Sequence, residues 1–127
     1  MAKKRTVRKK LTGEQYEELT GLVSIWKNFT EKYVSSENYI YEWQNFLDAR
    51  RLIDNVTELL SYAEQEAIKL QLKPLDEKVI ANTFEIKECV WGNKVENENG
   101  YNRTKHWYYY RVNQHVFNSE SGKFTRL

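Results

Sequence analysis

The chain has little cysteine, proline or histidine, and it lacks any long apolar run. Cys89 is the one thiol, which excludes an intramolecular disulfide and suits a reducing compartment. Cys89, His106 and His115 match no compact zinc spacing, and on a strand the two histidines fall on opposite faces, so no metal is expected. A span of about 18 consecutive apolar residues is missing, and no apolar region follows the charged N-terminus, so a cytoplasmic protein without membrane contact is expected. Gly-rich phosphate loops, HExxH and GxSxG are absent, and a cysteine in mid-strand is a poor nucleophile. The expectation is a non-enzyme with no cofactor. Without secretion, the triplets at Asn28, Asn55 and Asn102 carry no glycosylation meaning.

What is present is charge and aromatic surface. The 127 residues are 30% charged, 14% aromatic and 40% hydrophobic, at a mean hydropathy of -0.81. One folded domain with a wet exterior accommodates all of these. The net charge of +2 is segregated. Residues 1–10 carry six bases and no acid; residues 11–102 carry nine bases and seventeen acids; from Arg103 onward there are five bases and one acid. Positive ends favour anionic partners, and the acidic middle repels them.

An α+β chain is expected: a flexible basic arm over 1–10, then a single domain over 11–127. Two long amphipathic helices, as a hairpin or bundle, precede a small antiparallel sheet. Thr12 and Gln15 form a capping box ahead of a helix over about 12–34, with Tyr16, Leu19, Val23, Trp26, Phe29 and Tyr33 along one face. Gly21 interrupts this helix and would suit a close helix crossing. A second helix over about 36–72 carries Phe46, Ala49, Ile53, Val56, Leu60, Ala63, Ala67 and Leu70 in heptad order. Unbroken it would reach roughly 55 Å at ~1.5 Å per residue, so either a break near Asp54–Thr57 or a protruding hairpin is expected. The stripe closes within the monomer or across the two-fold axis of a homodimer. Pro74 ends the helix.

Strands are expected over about 83–91, 104–117 and 123–127, with the polar segment before Asn99–Gly100 as the turn between the first two. The strand at 104–117 contains "KHWYYYRVNQHVF". Alternation places Trp107, Tyr109, Arg111 and Asn113 on one face, and His106, Tyr108, Tyr110, Val112, Gln114 and Val116 on the other. Two readings follow. Either both faces are buried, or the first presents Trp107, Tyr109 and Arg111 as a stacking platform for bases. On the second reading a nucleic-acid interface comprises Lys3, Lys4, Arg5, Arg8, Lys9 and Lys10 of the arm with Arg103, Lys105, Trp107, Tyr109 and Arg111, the arm tracking phosphates.

"NGYNRTKHWYYYRVNQ" resembles the wing of winged-helix proteins from phage and plasmid replication or transcription control. The resemblance covers about Lys87–Gln114 and implies DNA binding. Upstream the pattern departs from that family, because Ser61–Leu72 carries Glu64 and Glu66 where a recognition helix would be basic. Size and composition are also similar to small phage proteins, among them inhibitors of bacterial defence nucleases such as anti-CRISPRs. Two functions follow as expectations. One is a nucleic-acid-binding accessory or regulatory protein, for DNA or RNA. The alternative is a protein-binding inhibitor or adaptor whose acidic surface around Glu58, Glu64 and Glu66 occupies a nucleoprotein enzyme.

Overall fold

A computed structural model describes residues 12–125. The basic arm at 1–10 lies outside them. The capping box forms as read: Thr12 Oγ1 accepts from the Gln15 amide at 3.1 Å, and Gln15 Oε1 accepts from the Thr12 amide at 2.9 Å. Helix α1 (Gly13–Asn28) continues into a widened π turn, Phe29–Tyr33, which carries Phe29 and Thr30 into the interior. Gly21 faces open space, so it serves no close helix crossing.

Helix α2 (Trp43–Thr57) is followed by a break at 58–61, close to where rod length argued for one. Ser61 then caps helix α3, Tyr62–Asn82. The break re-aims the heptad stripe. Ala49, Ile53, Val56 and Leu60 are buried, whereas Ala63, Ala67 and Leu70 are exposed; Leu72 and Val79 turn inward instead. Pro74 does not end the helix: it sits inside α3, on the exposed side. The Leu70 carbonyl, which would have accepted the missing N–H, belongs to a residue 73% exposed.

Polar contacts fix the helix directions. Tyr16 meets Glu64 and Trp26 meets Asp76, so α1 and α3 run parallel. Helix α2 runs against both, with Arg50 reaching Asp76 and Phe46 stacking on Phe29. The core centres on Trp26, Phe29, Trp43, Leu47, Ile53, Tyr108 and Tyr109.

The strands are far shorter than expected. β1 (Phe84–Glu85) pairs antiparallel with β2 (Arg111–Val112), and β3 (Phe117–Asn118) pairs with β4 (Lys123–Phe124), as two separate ladders. The polar segment expected as a hairpin turn is helix α4, Asn93–Asn99, and Gly100 stops it at φ +68°. The Asn-Gly signal marks a helix end here rather than a strand reversal. Trp107–Tyr110 is a 3-10 turn, not a strand. A two-stranded ladder covers only one face, so alternation would have left half the tyrosines in water. The tighter turn instead buries Tyr108, Tyr109 and Tyr110 together.

Side chains bind this C-terminal segment to the helices. Trp43 Nε1 donates to the Arg111 carbonyl at 3.2 Å, Gln44 Nε2 to the Val90 carbonyl at 2.7 Å, and Asn113 Nδ2 to the Val34 carbonyl at 3.0 Å. His106 Nδ1 accepts from the Asn102 amide at 3.1 Å, which requires an unprotonated Nδ1. Burial holds this imidazole below its ordinary value of 6.5, with the Lys105 charge acting the same way. Below pH 6.5 the unfolded chain therefore binds this proton more readily than the folded one, and stability is lost as the pH falls through that value. Urea titrations between about pH 7.5 and 5.5 are expected to show that loss, and His106→Gln to flatten it; equal slopes would deny His106 the role.

Candidate functional site

The C-terminal row is not a platform. Tyr109 has no exposed surface, and its hydroxyl lies between Asp48, to which it donates, and Arg51 Nε, from which it accepts at 2.9 Å. Desolvation and the Asp48 contact raise its phenol well above the ordinary value, so it stays protonated. Arg111 is half-buried and clamps the end of α3, donating to Thr83 Oγ1 at 2.8 Å and to the Thr83 and Ile80 carbonyls at 3.0 and 3.2 Å. Trp107 is half-buried against Tyr108. Trp107, Tyr109 and Arg111 therefore do not share an open face, because the tight turn replaces strand alternation.

The flanking cations are exposed but engaged. Arg103 lies over the Tyr110 ring at 4.5 Å, donates to the Lys87 carbonyl at 2.8 Å, and stands 3.7 Å from Glu85. Lys105 pairs with Glu58 at 3.7 Å. Lys3, Lys4, Arg5, Arg8, Lys9 and Lys10 lie outside the described residues. The acidic surface is likewise made of partnered groups: Glu64 accepts from the Tyr16 hydroxyl at 2.7 Å, and Glu66 pairs with Lys69 at 3.1 Å. Among the described residues no cluster of three or more histidine, cysteine or carboxylate side chains could hold a metal ion, and no helix is long and apolar enough to cross a membrane.

A different feature stands open. α1 and α3 approach at Trp26 and Asp76, where Nε1 donates to Oδ1 at 2.9 Å, and leave a groove of about 440 Å³ lined from Tyr16 to Lys27 on α1 and from Glu64 to Gln71 on α3. Leu19, Val23, Leu60 and Ile68 make its apolar floor; Thr20, Ser24 and Lys27 form the α1 wall, and Glu64, Ala67 and Gln71 the α3 wall. The Tyr16–Glu64 bond ties the two walls at one end. Pattern reading placed Tyr16, Leu19 and Val23 along one helix face and missed this groove, because a period does not say what lies opposite that face.

No protein-family model, curated protein or solved structure matches this chain. The functional reading therefore rests on the geometry above and on the charge layout. Residues 12–125 hold thirteen bases and eighteen acids, a body of −5 behind an arm of +6.

Proposed function

We propose that this chain is a non-enzymatic, protein-binding inhibitor or adaptor that seats a cationic, apolar-faced segment of its partner in the α1–α3 groove. The observation carrying this reading is an apolar groove that the described residues leave uncovered, on an acidic body. Burial of its floor supplies affinity, while the body's charge selects a basic partner. A basic segment bordering the nucleic-acid channel of an enzyme has the required chemistry. A second reading, a nucleic-acid-binding accessory protein, is favoured by the six bases at residues 1–10.

One paired experiment separates them. Immobilised wild type and Ser24→Arg, which fills the groove from an exposed position, are compared for retained proteins, and both are titrated with DNA and RNA at two salt concentrations. The expected result is a basic partner retained by wild type and lost with Ser24→Arg, with weak nucleic-acid binding. Tight, steeply salt-dependent DNA or RNA binding, abolished by removing residues 1–10 and indifferent to Ser24→Arg, would establish the second reading instead.

A further inference from the structure

The exposed half of the heptad stripe lies beside the groove, on the outer flank of α3. Ala63, Ala67, Leu70 and Pro74 follow one another at steps of four, three and four, so they form a line along one helix face. All four are exposed, and Leu70, at 73%, is far barer than a buried stripe residue. Charge along α3 changes sign beside this line: Glu64 and Glu66 lie toward the start, Lys69 and Lys73 toward the middle, and Asp76, Glu77 and Lys78 beyond Pro74.

We infer that this flank binds a second copy of the same chain, α3 against α3, antiparallel across a two-fold axis between Ala67 and Leu70. That axis sets Ala67 level with Leu70 of the second copy and Ala63 level with Pro74 of the second copy. Small residues thus meet large ones, and the seam is self-complementary. Glu66 and Lys73 are seven residues apart and therefore share one side of the line. In the antiparallel pair Glu66 falls two residues, about 3 Å, from the level of Lys73 of the second copy, within reach of a lysine side chain. The contact occurs twice. A parallel two-fold pairing would carry the second copy's Glu66 and Lys73 to the other side of the seam, so this ion pair forms only with an antiparallel second copy.

The seam adjoins the partner groove at Ala67, which lines the α3 wall, whereas Glu66, Leu70 and Lys73 lie outside it. The test measures the mass of the full chain by sedimentation at about 100 µM, above the micromolar dissociation constant that so small a seam supports. Wild type is expected to sediment as a concentration-dependent dimer, and Leu70→Glu as a monomer with an unchanged circular dichroism spectrum. E66K and K73E should each weaken self-association about tenfold, because each opposes like charges across the seam. Mixed together, these two variants should pair with each other, and the E66K/K73E double variant should recover the wild-type association. A wild type that stays monomeric, a dimer that survives Leu70→Glu, or single variants that fail to pair with each other would overturn the inference. Because Ser24→Arg leaves this flank intact, loss of the partner without loss of the dimer, or the reverse, tells the two proposals apart.

Discussion

Asp76→Ala is expected to destabilise the fold by about 3–5 kcal/mol, the range for removing one partner of a buried ion pair. Arg50 is 8% exposed and donates from Nε and Nη2 to the two Asp76 oxygens at 3.0 and 2.9 Å. Asp54, on the next turn of α2, pairs with the same guanidinium. Burial by itself would lower the guanidinium's affinity for its proton; the hydrogen bonds and charges of Asp76 and Asp54 outweigh it and raise the value above the ordinary one. Asp76 Oδ1 also accepts from Trp26 Nε1, so α1, α2 and α3 converge on a single carboxylate. Alanine leaves both the guanidinium and the indole N–H short of an acceptor. Equilibrium urea unfolding reads the loss, and the Arg50→Met/Asp76→Leu pair should recover only the part due to the stranded guanidinium, because the Trp26 indole N–H and Asp54 still lose their partners. A midpoint for Asp76→Ala unchanged from wild type would show that the three helices hold together without this junction.

Tyr109→Ala is expected to cost a comparable amount, about 3–5 kcal/mol, through the cavity left by a fully buried ring. The ring packs at 4.7 Å from Tyr101 and 4.9 Å from Tyr108, and Trp91 meets it edge-on. Tyr109→Phe keeps those contacts and loses only the hydroxyl. Arg51 and Asp48 remain 3.2 Å apart and satisfy each other, so this variant should lose about 1 kcal/mol. The contrast between the two variants, measured by urea midpoint, decides how the ring is used. A ring standing in solvent to stack on bases would give two near-zero values, and that result would restore the platform.

The two-part layout, helices first and short antiparallel strands after, was legible because it depends on local signals: the Thr12–Gln15 box, the three-and-four spacing of α1, and the heptad order of α2. Those signals act within a few residues and need no tertiary partner. Pro74 misled because the penalty for proline inside a helix depends on whether the freed carbonyl can reach water, which is a property of the packed molecule. Trp107–Tyr110 misled for a related reason. Aromatic and β-branched residues favour strands only where a sheet is wide enough to cover them, and here the cover comes from α1, α2 and α4. The groove was invisible because the register change at 58–61 decides which half of the stripe meets the core. A period identifies a face but not what lies opposite it.

The Arg111 clamp changes how α3 should be viewed as an element. Its closing carbonyls, those of Ile80 and Thr83, are satisfied by a guanidinium that arrives 28 residues after Thr83. During synthesis, a stretch made early thus waits for one made late before its frayed terminus can be tied off. Shortened versions of the protein that stop before Arg111 would leave that terminus open, and limited proteolysis of such fragments should find its first cleavage there.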